Sequence, residues 1–441
     1  MTRPLPVPLR VAFDVTPMIG ARTGVGTLVA GFYEALRVRH DVQLKAYATT
    51  IRGRGKIVRS LNASLPPLPA RFLRTAWLRA DWPPVELWTR RIDMVHGMNY
   101  VVPPTRSHHS LASVHDLTVV RFPEMCTPDT LQYPSLLQRA FNRGAHVHVD
   151  SQFVADEVAE WSGLDTSRIH VVYPGLDALP ASSLLVGSMS GDVLSSDVLT
   201  SDVLTSDVLT SDVLSGDALR HDALSDSARH GSTSPSDLES TDLSIGEFQV
   251  VSRLVGTRPF ILALGTIEPR KDYPTLLRAF NEIAHADAEL ILVIAGTDGW
   301  GSDRFASAFA TLPVDVRARV LRLGYVTPSV KEWLLRRARV LAYPSIYEGF
   351  GLPPLEAMQR HTPVVSTNAG SLPEVLGEAA VFVSVGDATA LASQLLRVHL
   401  DTQFRSGLIE AGLARAQRYT WVGAAEEMFS TYQSVIERSG P

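Results

Sequence analysis

The string Tyr343-Pro-Ser-Ile-Tyr-Glu348-Gly-Phe-Gly-Leu-Pro-Pro-Leu-Glu356 sets two carboxylates around a glycine turn, with seven residues between them. An apolar run ends at Tyr343, and Gly349 and Gly351 allow a tight turn free of side chains. Pro353 and Pro354 then suit the first turn of a helix, where a missing N–H costs nothing. The N–H groups of Gly349, Phe350, Gly351 and Leu352, aided by the helix dipole, form a cradle for an anion or a hydroxyl. Glu348 lies before the turn and Glu356 in the first helical turn, so both can face one pocket. A second string, Leu264-Gly-Thr266-Ile-Glu268-Pro-Arg270-Lys271-Asp272, follows a buried strand and places two adjacent cations. Fixed positive charge of that kind suits a diphosphate leaving group, on which negative charge grows as its bond breaks. Gly20-Ala-Arg-Thr-Gly24-Val-Gly26-Thr27 lets backbone approach a phosphate or a sugar. It lacks the Gly-Lys-Ser/Thr of a P-loop and the spacing of a dinucleotide fingerprint. His115-Asp116 closes another apolar run, where a side chain is placed for a cleft.

These residues need a scaffold of strands ending at one edge. In residues 9–177 short apolar runs predict strands at Val11–Val15, Val42–Ala48, Asp93–His96, Ser110–His115, Val147–Ser151 and Ile169–Tyr173, with helices such as Thr27–Arg37 and Gln152–Trp161 between them. In residues 258–420 the plan repeats at Phe260–Leu264, Leu290–Ala295, Val320–Leu323, Val340–Tyr343, Val364–Ser366 and Ala380–Val383. Alternating strands and helices predict parallel sheets covered on both faces. The expected division is 1–177 as one Rossmann-like domain and 257–418 as a second. Residues 419–441 are expected to form a helix that returns to the first domain.

Between the domains, residues 178–256 differ. Asp recurs every five residues from Asp192 to Asp222, a period that matches neither a helix nor a strand. The stretch is read as an acidic, disordered, Ser/Asp-rich linker. It carries twelve acids against three Arg, leaving the rest of the chain at +4 against −5 for the whole. Residues 51–91 are basic, with nine Arg or Lys interleaved with Phe72, Leu73, Trp77, Leu78 and Trp82. They fit either a surface helix lying on anionic lipid or an ordinary helix packed on its own sheet.

Several classes are excluded. Among 441 residues there is one cysteine, Cys126, so no internal disulfide forms. No run of 18 apolar residues predicts a membrane span, and Met1–Arg10 lacks the apolar run of a secretory signal. No cluster has zinc spacing and no Asp-x-Asp triplet offers a metal–diphosphate site. A cytoplasmic, metal-free chain is expected, at most peripheral at the inner face of the cell membrane, with no nucleic-acid partner.

Together the strings resemble glycosyltransferase family 4, of the GT-B fold, and within it the bacterial mannosyltransferase-like branch. The resemblance rests on Gly24-Val-Gly26, Val114-His-Asp-Leu117, Ser151-Gln-Phe153, Gly265-Thr-Ile-Glu-Pro-Arg-Lys271, Ala295-Gly-Thr-Asp-Gly-Trp300, Gly324-Tyr-Val326, the Glu348…Glu356 string and Gly370-Ser-Leu-Pro-Glu374. It covers both domains and misses the repeat. It implies an α/β chain of two doubly wound domains facing across a cleft, 1–177 acceptor-side and 257–418 nucleotide-sugar-binding, and retaining transfer of a hexose without an essential metal. The donor would be a nucleotide diphosphate sugar, with GDP-mannose favoured by the branch. The acceptor would be a glycan or a lipid-linked glycan of surface polysaccharide or glycolipid synthesis. By resemblance Arg270 and Lys271 hold the diphosphate, Glu348 and the amides of Gly349–Gly351 the sugar, and Glu356 the ribose. Tyr325 and Val326 would lie along the base, Gly26 near the phosphates, and His115 with Asp116 on the acceptor side. One departure is His361, where relatives often have glycine before Thr-Pro-Val. A sugar-nucleotide epimerase on the same fold and a non-catalytic nucleotide-sugar-binding protein stay open as alternatives.

Overall fold

The computed structural model describes residues 7–19, 24–50, 60–66, 68–179 and 246–438. The pentapeptide repeat and residues 51–59 of the basic stretch lie outside the described residues. Two six-stranded sheets are present, every pairing parallel. The first comprises β1 (Leu9–Asp14), β2 (Val42–Tyr47), β3 (Met94–Gly97), β4 (Ser110–Val114), β5 (His146–Val149) and β6 (Ile169–Val171), in the order β2-β1-β3-β4-β5-β6. The second comprises β7 (Phe260–Leu264), β8 (Ile291–Ala295), β9 (Val320–Gly324), β10 (Val340–Tyr343), β11 (Val364–Thr367) and β12 (Val381–Val383), in the order β12-β11-β10-β7-β8-β9. Each strand order reverses once, between β1 and β3 and between β7 and β10. Open α/β sheets carry their ligands outside the carboxyl ends of the strands at that reversal. The expected fold class is the one observed.

The helices that matter for the cleft are α1 (Gly24–Arg37), α2 (Ala70–Arg79), α3 (Gln152–Ser162), α4 (Tyr273–Ile283), α5 (Pro328–Arg337), α6 (Leu352–Gln359), α7 (Leu372–Leu376) and α8 (Trp421–Arg438). On α4 the buried Leu276, Leu277, Phe280 and Ile283 form the single apolar face that their spacing predicts. Residues 246–255 form a helix rather than a linker end, and its Val251 and Val255 are buried in the second domain's core beside Leu176. The i, i+4 spacing of those valines puts both on one face of the helix. The chain crosses between domains at Leu176 and again at Thr420, and the two crossings are bridged side by side. Beyond the second crossing α8 packs on α1, burying Met428, Tyr432 and Val435 in the first domain's core.

Candidate functional site

The sites of interest form where the two strand reversals face each other. β7 and β10 are parallel neighbours, with Leu262 opposite Leu341, so their carboxyl ends lie side by side. The loop after β7 carries Arg270 and Lys271, and the loop after β10 carries Glu348. Asp272 adopts φ 45°, which reverses the chain directly after Lys271, and its carboxylate caps the start of α4 through Thr275. The cations therefore stay at the strand edge instead of following the helix outward.

The structure brings Arg270, Lys271 and Glu348 into one buried cluster. Lys271 Nζ donates to Glu348 Oε1 at 2.7 Å and to the Tyr343 hydroxyl at 2.7 Å. Arg270 donates to Glu348 Oε2 at 2.8 Å, to the Tyr347 carbonyl at 3.1 Å and to Glu268 Oε1 at 2.9 Å. Burial pushes the Glu348 carboxyl up, but Arg270 and Lys271 outweigh it and bring the group down to about 2. Burial pulls Lys271 below the usual ammonium range despite Glu348.

Main chain fixes the turn that follows. Ser371 donates to the Glu348 carbonyl from both its N–H and its hydroxyl, each at 3.0 Å. Gly351 takes φ 98° as the residue before α6, a conformation that favours glycine. A Cβ on Gly349 would overlap the carbonyl oxygen of His115, so first-domain backbone lies directly against this turn. Phe350 is buried between Tyr173 and Tyr419, and Leu352 opens α6.

On the facing domain, Asp116 Oδ1 accepts from the Tyr100 hydroxyl and the Thr118 N–H, each at 2.9 Å. The carboxylate lies near enough to Arg270 to raise its basicity together with Glu348 and Glu268. His115 turns into its own domain. Its Nδ1 lies 2.7 Å from Asp150 Oδ2 and its Nε2 2.7 Å from the Met98 carbonyl. Both partners are acceptors, so the ring is best satisfied carrying both protons. Burial lowers its basicity, and Asp150 more than restores it. The His115 side chain thus holds the strand ends in place, while its carbonyl meets Gly349.

The remaining positions are more dispersed. Glu356 is bound by Lys331 of α5, whose Nζ lies 2.7 Å from Oε1 and 2.6 Å from Oε2. Tyr325 is 61% exposed at the end of β9, and Val326 is half-buried against the core. Thr266 lies against Gly299, while Gly24 and the buried Gly26 begin α1. Motif spacing gave no role to Tyr347. This second-domain side chain reaches into the first, where its hydroxyl accepts from the Leu117 N–H at 2.8 Å, donates to Glu157, and its ring packs near Phe122 and Phe153. Ser151 and Glu374 stood inside recognised strings without a function. Ser151 Oγ donates to the Gly349 carbonyl at 2.8 Å, and Glu374 reaches the start of α3.

The geometry has counterparts. The model described as Glycosyltransferase Family 4 matches residues 22–178, and that described as Glycosyl transferases group 1 matches residues 245–415. The O-antigen chain mannosyltransferase B of Escherichia coli is 34% identical over 176 residues, which cover 40% of this chain and 45% of that protein. The phosphatidyl-myo-inositol mannosyltransferase of Mycobacterium leprae is 31% identical over 181 residues, 40% of this chain and 46% of that one. The chain thus matches about half the length of these curated relatives. Among solved structures, Anabaena Alr3699/HepE in complex with UDP-glucose has a TM-score of 0.62 at 16% identity, covering 97% of this chain and 100% of that one. Sucrose-phosphate synthase from Thermosynechococcus elongatus has a TM-score of 0.64 at 17% identity, covering 98% and 100%. These likenesses at low identity bear on the fold, which is the two-domain GT-B arrangement. With one model on each half, in the order in which the two sheets occur, the chain belongs to glycosyltransferase family 4.

Proposed function

We propose that this chain is a retaining, metal-independent hexosyltransferase that moves mannose from GDP-mannose to a glycan or lipid-linked acceptor in cell-surface polysaccharide or glycolipid synthesis. The observation that carries this proposal is the Glu348 carboxylate, bound at once by Arg270 and Lys271 where the two domains meet. A diphosphate entering the cleft takes over the two cations and frees Glu348 to accept hydrogen bonds from sugar hydroxyls. As the bond from the anomeric carbon to phosphate oxygen breaks, charge accumulates beside cations already in place. The acceptor oxygen bonds the oxocarbenium-like carbon from the same face and passes its proton to the departing phosphate. Charge that a metal could supply comes here from two side chains. Family resemblance adds Glu356 at the ribose, Tyr325 and Val326 along the base, the Gly349–Leu352 turn at the sugar and Gly26 at the phosphates. By the same resemblance Asp116 would line the acceptor side, with His115 beside it holding the strand ends through Asp150 and the Met98 carbonyl.

Mannose is supported by the names of the related mannosyltransferases. A lipid-linked acceptor is supported by α2, which buries Leu73 and Trp77 and exposes Phe72 beside Arg71 and Arg79, with Trp82 and Leu87 exposed nearby. That face suits peripheral contact with the anionic inner leaflet. No helix among the described residues is long and apolar enough to cross a membrane. The test is release of nucleoside diphosphate from each common nucleotide sugar in the presence of a chelator. GDP released from GDP-mannose, with the α-anomer retained in the product, is the expected result. Turnover of a UDP- or dTDP-sugar alone overturns the donor assignment, and no turnover of any donor leaves a nucleotide-sugar-binding protein.

A further inference from the structure

We propose that Glu374 is a positioning residue that latches the two domains shut over the Glu348 turn; the proposal rests on the cleft being the place of transfer. Glu374 lies on α7 of the second domain. Its Oε1 accepts from the Gln152 N–H at 2.7 Å and the Tyr173 hydroxyl at 2.8 Å, and its Oε2 accepts from the Phe153 N–H at 2.8 Å. Gln152 and Phe153 are the first two residues of α3, in the other domain. An α-helix leaves four N–H groups unpaired at its start, and here a carboxylate from across the cleft takes two of them. The helix dipole adds to the attraction. Ser151, the residue that caps α3, accepts from the Val154 N–H at 3.3 Å and gives its hydroxyl proton to the Gly349 carbonyl. One helix start therefore holds both Glu374 and the glycine turn.

The latch is geared to the site. Ser371, three residues before Glu374, makes the two hydrogen bonds to the Glu348 carbonyl. A Cβ on Gly370 would overlap that same carbonyl, so there is no slack between α7 and Glu348. From behind, Arg415 holds α7 by its Val375 carbonyl at 2.8 Å and by that of Glu374. A shift of the Glu348 turn must carry Glu374 with it and so loosens or seats the contact with α3. Every group in the latch is polar and can be hydrated when the cleft opens, which suits a contact made and broken in each cycle.

The test uses the full chain carrying Cys126→Ser, with spin labels at the exposed Val38 and Val314, one in each domain. Glu374→Gln removes the charge and turns an amide N–H toward one of the helix N–H groups. Gln152→Pro removes one donor at a position where a helix accepts proline, after a residue already extended at φ −154°, ψ 159°. Both variants are expected to lengthen the inter-label distance and to lower transfer roughly tenfold, in line with loss of a charged hydrogen bond. Nucleoside diphosphate affinity is expected to stay within about twofold of the parent. The double variant is expected to be no worse than Glu374→Gln alone, since both cut one contact. Unchanged distances, or longer distances with unchanged transfer, overturn the proposal. The distance readout needs no substrate, so it decides on the latch independently of the donor screen.

Discussion

Both sheets are six-stranded and parallel with one reversal of strand order, and they differ in what they bury. In the second domain β7 and β8 read Phe-Ile-Leu-Ala-Leu and Ile-Leu-Val-Ile-Ala, every residue buried, and the charge is gathered at the strand ends. In the first domain β3 and β5 read Met-Val-His-Gly and His-Val-His-Val, also fully buried. There a polar chain runs through the interior. The Tyr432 hydroxyl lies 2.8 Å from His96, His96 2.9 Å from Ser113, and Ser113 2.7 Å from His148, with Asp150 and His115 beyond. The contrast teaches that one sheet is a dry platform for charges used at its edge. The other spends its polar groups on its own order and presents mostly backbone to the cleft.

The hardest test of this contrast falls on the platform. Arg270→Ala and Lys271→Ala are each expected to lower transfer by about 10²–10³, the usual loss when one preorganised charge contact is removed. Rates within about threefold of the parent would show that the edge charges do not serve the leaving group. Next comes the backbone face. Gly349→Ala puts a methyl group onto the His115 carbonyl and is expected to cost about 10² in transfer, with nucleoside diphosphate affinity unchanged in calorimetric titration. Equal losses in binding and transfer would mean that the turn serves the nucleotide rather than the domain contact.

Acid sharpens the comparison. Burial lowers His148 from 6.5 to about 4 and His96 well below its usual value. Both are neutral when folded, and the unfolded chain takes up their protons first. The first domain therefore loses stability as pH falls from 6.5 towards about 4. Asp14, raised by burial to about 6, works in the opposite sense, one carboxyl against two imidazoles. The contribution of His115, whose basicity Asp150 raises against burial, is lost only on the alkaline side. Burial raises Glu348, but its two cations hold it at about 2, so its contribution to the second domain lasts down to 4.5 and disappears between there and about 2. Hydrogen exchange resolved by domain should show the first sheet opening at the higher pH; the reverse order breaks the contrast. The smallest effect is expected at His361, which takes φ 64° in the left-handed region. His361→Gly should stabilise the second domain by about 1 kcal/mol in thermal unfolding, and no gain would mean the turn is unstrained.

Much of the second domain was legible because its strands are unbroken apolar runs. Phe260–Leu264 and Val340–Tyr343 fall where the sequence places them. In the first domain the paired histidines interrupt the pattern, and the strand expected at Val147–Ser151 runs from His146 to Val149. Arg270, Lys271, Glu348 and Glu356 could be picked out because compact strings carry them. That Glu348 sits between both cations could not, since it depends on the strand order at the reversal. Tyr347, Glu157, Asp150 and Glu374 were silent for a related reason, because their partners come from distant parts of the chain. The helix at 246–255 was lost in the expected linker, since the acidic repeat before it dominates the local composition.

The return of α8 to the first domain sets the order of events during biosynthesis. The buried His96 finds its partner in Tyr432, and Met428 and Val435 complete the same core. At translation rates of roughly 5–20 residues per second, the last strand of the first sheet waits on the order of ten to fifty seconds for that helix. The second domain, contiguous from 246 to Thr420, is finished meanwhile. The half that leaves the ribosome first is therefore the last to mature, and a chain that stops before α8 carries an intact second domain beside an unfinished neighbour.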